Sequence, residues 1–277
     1  MKPTDTRFAG VTTGLAASLR TDIPAYYIPL GAGRYLPTIH AQGAWSEHEQ
    51  HMSPVAGLLV HVMQACSPRR DLALARISFD ILGFLPATEV DMSARILRPG
   101  KTIELVEAEM SVGGRTIARA TGWRLLVSDT GIVAGTPLST LAGPERASPW
   151  AGEDLWGGGF IRSLEFRTLP GRSPGTGKTW LRSTVDLVEG RESSDLEMML
   201  AVVDTANGVS PRVPPSDYVF PNTDLTVHLF RQPQGRWLGM DTEVSLGPDG
   251  VGLTATALHD EHGPIGRSAQ ILTVRKR

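Results

Sequence analysis

The chain has 277 residues, 41% of them hydrophobic and 20% charged, with a net charge of -2 and no long basic run. That balance is globular rather than disordered, and it argues against nucleic acid or an anionic membrane surface as a partner. A single cysteine, Cys66, excludes an internal disulfide framework and a multi-cysteine metal site, and suits a reducing compartment such as the cytoplasm.

From the N-terminus, residues 1–21 mix small, polar and charged side chains without the compact apolar stretch of a signal peptide, and are expected to be a mobile arm. No apolar run approaches the roughly 20 residues of a membrane span. The spacing of Val55, Leu58, Leu59 and Val62 predicts a helix over 54–65, with Ser53 as N-cap and Pro54 in its first turn. Four strand-like stretches follow, over 75–82, 89–98, 101–113 and 115–127. Residues 135–159, rich in Pro, Ser, Gly and Ala, read as a linker. A second helix is predicted over 194–206, from the capping box of Ser194 and Glu197 to a stop at Asn207-Gly208; its stripe is Leu196, Met199, Leu200 and Val203. Four more strands are expected over 224–231, 237–246, 252–260 and 266–275.

The two series match. Ser67-Pro68-Arg69 closes the first helix and Ser210-Pro211-Arg212 the second, and later landmarks recur at an offset of about 145 residues. The chain therefore divides into an arm (1–21), a first unit (22–134), a linker (135–159) and a second unit (160–277). Each unit has one helix to bury against one face of an antiparallel meander. That is an α+β plan, a helix wrapped by a curved sheet, the hotdog arrangement made twice.

Several side chains stand out. Asp204 falls on the edge of the second helix's apolar stripe, where a carboxylate is costly unless it is hydrogen-bonded or used in chemistry. Gln270 lies in the last strand, facing either solvent or the interior, and Asn222 follows Pro221 in a turn setting. His61 on the first helix is either a hydrogen-bonded buried histidine or an acid–base group. Cys66 reads as a small apolar residue at a helix end, and His48 and His51 as part of the loop leading into that helix. Gly175-Thr176-Gly177-Lys178-Thr179 imitates the end of a phosphate-binding loop. Arg172 stands where that loop needs glycine, and a strand rather than a helix follows. His259, Asp260, Glu261 and His262 form a polar hairpin turn, and no metal or cofactor motif is read.

The runs Ala201-Val202-Val203-Asp204, Asp224 to Arg231, Trp237 and Gly266 to Gln270, with Glu49 to Gly57 before the first helix, resemble type II acyl-CoA thioesterases of an actinobacterial-looking branch. The resemblance runs from about residue 22 to the last residue. It implies a double hotdog, an acyl-CoA substrate, no cofactor, a homo-oligomer, and hydrolysis by an Asp, a Thr or Ser, and a Gln. Asp204 matches the Asp and Gln270 the Gln. The hydroxyl position falls on Asn222 with Thr223 beside it, so either Thr223 takes that role or Asn222 substitutes. Asp204 would then be the base for an attacking water, Gln270 with Asn222 or Thr223 would hold that water, and backbone N–H groups near a helix N-terminus would polarise the thioester oxygen. In the first unit His61 aligns with Asp204 and Trp123 with Gln270, so that unit reads as a scaffold for the pocket walls. The rival readings are an acyl-CoA-binding protein without turnover and a hydratase or dehydratase using His61.

Overall fold

The computed structural model describes residues 19–277; most of the expected arm, 1–21, lies outside them. The first half opens with the hairpin β1 (Ala25–Gly31) and β2 (Arg34–Pro37), then α1 (Met52–Cys66). β3 (Leu72–Ile81), β4 (Val90–Arg98), β5 (Ile103–Val112) and β6 (Arg115–Leu126) follow. The second half runs β7 (Ser148–Pro149), α2 (Gly159–Arg162), β8 (Leu164–Thr168), β9 (Thr176–Ser183) and β10 (Asp186–Val188). Next come α3 (Asp195–Val203), α4 (Ala206–Val209), β11 (Tyr218–Val219), β12 (Asp224–Leu229), β13 (Leu238–Leu246), β14 (Val251–Asp260), β15 (Gly263–Thr273) and β16 (Arg275–Lys276).

One 14-stranded sheet takes its strands in the order β10-β1-β2-β4-β5-β6-β3-β12-β15-β14-β13-β9-β8-β7. Its seam is the antiparallel pair β3–β12, with Ile77 opposite Val227, Ser78 opposite Thr226 and Phe79 opposite Leu225. Outward from that seam the halves repeat: β3 answers to β12, β6 to β15, β5 to β14, β4 to β13, β2 to β9 and β1 to β8. This is the double hotdog. The duplication read from the chain is larger than its sequence pattern, because a hairpin precedes each helix. The phosphate-loop mimic runs into β9, and Lys178 there lies 3.6 Å from Asp241 of β13. Residues read as linker carry β7, which pairs with β8 at the sheet edge. β10 of the second half crosses to pair in parallel with β1 of the first.

Both helices lie in the concavity of the sheet and pack on each other. Val55, Ala56, Leu58, Leu59 and Val60 are fully buried, so α1 is wrapped almost all round. At the crossing, a Cβ on Gly57 would come 2.9 Å from Cβ of Ala201, closer than real side chains approach. Glycine lets the two backbones meet there.

Both helix ends differ in detail from the expectation. α1 starts at Met52, and its N-cap is His51 rather than Ser53: His51 Nδ1 accepts from the Ser53 N–H at 3.1 Å. Burial pushes the His51 imidazole down to about 3, so the ring is neutral and has a lone pair for this capping bond. Ser194 and Glu197 do form the expected capping box, but α3 ends at Val203, with Asp204 as its C-cap. Asn207 and Gly208 do not stop the helix; they belong to the separate turn α4. Thr205 Oγ1 donates to the Val202 carbonyl at 2.7 Å, adding to the backbone bond that the Thr205 N–H makes to the same oxygen at 3.2 Å as the helix ends.

Candidate active site

The helix break sets the site. It leaves Asp204 at the end of α3, 4% exposed, with its carboxylate aimed at β15. Along β15, Ser268, Gln270 and Leu272 are buried while Arg267, Ala269 and Ile271 are exposed, so Gln270 faces inward, not to solvent. Its Nε2 donates to Asp204 Oδ1 at 2.8 Å. The stretch 221–223 is zipped to the same strand, since Thr223 N–H donates to the Ile271 carbonyl at 3.1 Å and Thr273 N–H to the Pro221 carbonyl at 2.9 Å. That holds Asn222 beside Gln270, and Asn222 Nδ2 donates to Asp204 Oδ1 at 2.6 Å and to the Asp224 carbonyl at 2.9 Å.

Asp204, Gln270 and Asn222 are therefore brought together and Thr223 is not: Thr223 is exposed and makes no hydrogen bond to Asp204. Both amides donate to Oδ1, and Oδ2 carries no hydrogen bond among the described residues. Gln270 Oε1 is buried without a partner among them, an acceptor free for an O–H group. Burial raises the Asp204 carboxyl from 3.8 to about 7; the two amide donors oppose the rise and the Asp224 charge adds to it.

Asp204 and Asn222 open into a cleft of about 280 Å³ whose other wall comes from the first half. Gln50, His51 and Met52 at the start of α1 line it, with Ile81 and the loop 83–85 after β3. Gln50 is fixed at both ends: its Oε1 accepts from the Tyr27 hydroxyl at 2.8 Å, and its Nε2 donates to the Pro86 carbonyl at 2.8 Å. Glu49 also lines this cleft, and burial pushes its carboxyl up to about 7. Sequence reasoning assigned Glu49 no role; its only signal was a place in the segment leading into the helix.

His61 takes no part in the cleft. Its Nδ1 lies 2.8 Å from Oε1 of Glu197, so it joins α1 to the capping box of α3. The alignment of Trp123 with Gln270 is one residue out. Thr121 pairs with Ser78 and Ala269 with Thr226 across the seam, which makes Gly122 the counterpart of Gln270. Gly122 faces the Sδ of Met63 on α1, so the first half has no side chain at this position.

A family model described as the acyl-CoA thioesterase C-terminal domain matches residues 143–274, and its N-terminal counterpart matches residues 41–125. The chain belongs to the acyl-CoA thioesterase family. As a member it is a thioester hydrolase, and each model covers one hotdog of the enzyme. Solved structures share its fold. An acyl-CoA thioesterase II from Mycobacterium marinum is 12% identical with a TM-score of 0.62, over 91% of the enzyme and 96% of that chain. A tesB protein from Mycobacterium avium subsp. paratuberculosis is 15% identical with a TM-score of 0.63, over 90% and 95%. A hot dog protein of unknown function from Alicyclobacillus acidocaldarius is 11% identical with a TM-score of 0.72, over 91% and 97%. A comparison with curated protein sequences gives no match. No helix among the described residues of the thioesterase is long and apolar enough to cross a membrane.

Proposed function

We propose that the enzyme hydrolyses acyl-CoA thioesters by direct attack of a water for which Asp204 is the general base. The supporting observation is the double amide clamp on one oxygen of a buried carboxylate. Asn222 and Gln270 hold Oδ1 and leave Oδ2 for the proton. The water would donate one O–H to Asp204 Oδ2 and the other to Gln270 Oε1. As its oxygen bonds to the thioester carbon, its proton passes to Asp204 and the carbonyl becomes an oxyanion. Collapse of that intermediate breaks the C–S bond, and the thiolate leaves and takes a proton to give CoA and the free acid. A value of about 7 keeps a fraction of Asp204 ionised at neutral pH while making it basic enough to accept the proton.

The oxyanion would be met by the N-terminus of α1, whose first residue, Met52, lines the cleft and where the positive end of a 15-residue helix favours negative charge. In this reading Asn222 replaces the family hydroxyl as an anchor of the base, a role that needs only an N–H donor. The unpaired Cys66 supports a cytoplasmic site of action. The test is thiol release from a panel of acyl-CoAs by wild type and Asp204→Asn. Turnover by wild type that falls by about a thousandfold in the variant is expected, the scale of an essential proton-transfer group. Equal turnover by the two would remove Asp204 as the base.

A further inference from the structure

Beside the cleft lies a second, smaller cavity of about 30 Å³ whose lining includes four large aromatic side chains, Trp45, Trp150, Trp156 and Phe166. Its inner side is the chain immediately after Asp204, from Thr205 through Asn207 to Val209. Cavity and cleft share Ala44, Trp45, His51 and Asn207 in their linings, so the two spaces are neighbours across these residues. We propose that this cavity is the acyl subsite and that it restricts the enzyme to short straight-chain acyl-CoAs, with Trp150 as the stop. The inference rests on the hydrolase reading for its carbonyl end: with the thioester carbon beside Asp204, the acyl carbons would pass between the shared residues into this cavity.

Size and rigidity carry the restriction. A space of about 30 Å³ accepts about two or three groups of water or methylene size. That corresponds to acyl chains of up to about three or four carbons, the carbonyl carbon included. The far end is tied down from several sides. Trp150 packs edge-on against Phe166 with ring centroids 5.3 Å apart, and the Arg172 guanidinium lies 4.1 Å over its face. The same guanidinium donates to the Val209 carbonyl at 2.7 Å, so it clamps Trp150 to the segment that follows the base. Trp156 is held by its indole N–H, which donates to the Gly208 carbonyl at 2.9 Å, and by edge-on contact with Trp45 at 4.9 Å. A longer chain would have to break this clamp instead of displacing a loose side chain.

The test is kcat/KM for thiol release across straight-chain acyl-CoAs of two to twelve carbons. Two variants push the cavity in opposite directions. Trp150→Ala removes the stop. Gly208→Ala adds a methyl whose carbon would sit 3.3 Å from Trp156 Nε1, close enough that the lining must give by a few tenths of an ångström, narrowing the space. Wild type is expected to prefer two to four carbons and to fall by about tenfold or more by eight, the scale on which an apolar pocket separates chain lengths. Trp150→Ala should move the preference to six carbons or more, and Gly208→Ala should lose butyryl-CoA relative to acetyl-CoA. Wild type that cleaves octanoyl-CoA as well as butyryl-CoA, or profiles unmoved in both variants, would overturn the assignment. Binding of S-(2-oxoalkyl)-CoA ethers, which cannot be hydrolysed, reads the cavity without turnover. Short-chain preference there with no thiol release from any acyl-CoA would keep the subsite and overturn the hydrolase reading.

Discussion

Asp204→Asn should make the folded protein more stable at pH 8 while cutting hydrolysis by about a thousandfold. Asp204 is 4% exposed, and burial lifts its carboxyl to about 7, well above the ordinary 3.8. Between those values the folded enzyme holds a proton that the unfolded chain has released. The contribution of Asp204 to stability is thus fully present below the lower value and is lost as pH rises to the upper one. The gap is about 3 units at about 1.4 kcal/mol each, so ionised Asp204 costs about 4 kcal/mol above pH 7, an upper figure for a group that also meets cleft water. Asparagine keeps the oxygen that accepts from Asn222 and Gln270. Its added N–H group lies within the same cluster as the unpartnered Gln270 Oε1. We expect a gain of about 2–4 kcal/mol at pH 8, roughly 5 °C or more in Tm for a chain of this length, and almost none at pH 4. Thermal and urea unfolding of both proteins at pH 4, 6 and 8 would show it. A variant no more stable than wild type at pH 8, or with an equal difference at pH 4, would refute the buried, strained carboxylate on which the base assignment depends.

Further outcomes follow from the same geometry. The pH profile of kcat/KM should rise through about pH 7 as Asp204 ionises. Because Glu49 in the same cleft also titrates near 7, Glu49→Gln should leave that limb in place; its disappearance would transfer the assignment to Glu49. Asn222→Leu removes a donor that favours the charged form, so the limb should move to higher pH and kcat should fall by about ten- to a hundredfold, read from steady-state kinetics. His61→Ala should retain turnover within about threefold while lowering Tm, since it loses the contact with Glu197 and leaves a small cavity. Loss of activity in His61→Ala together with its retention in Asp204→Ala would instead favour hydratase or dehydratase chemistry at His61. Gly57→Leu should prevent the helices from meeting and give little folded protein, measured by circular dichroism and yield.

Local pattern was enough for much of this molecule. Helical spacing in α1 and α3, alternation in the longer strands and the Ser194–Glu197 capping box are properties of neighbours in sequence, so the chain alone determined the helix-plus-meander repeat. It also supplied Asp204 and Gln270 as candidates, through their polar character at positions patterned for a core and through the family resemblance. The hairpins ahead of each helix were not legible, because β1 carries Pro29 and β2 and β8 are too short for a clear alternation. Asn222 and Thr223 could not be separated by sequence, since adjacent residues on an extended segment face opposite sides and only pairing with β15 sets which side is inward. The same one-residue ambiguity put Trp123 in the place of Gly122. The composition of the cleft lay furthest from view. Glu49 and Asp204 belong to different hotdogs, and they share one cavity only because the β3–β12 seam and the Gly57–Ala201 crossing bring the start of α1 against the end of α3. Spacing along a chain has no access to that, since proximity between distant segments is decided by packing the two helices inside one sheet.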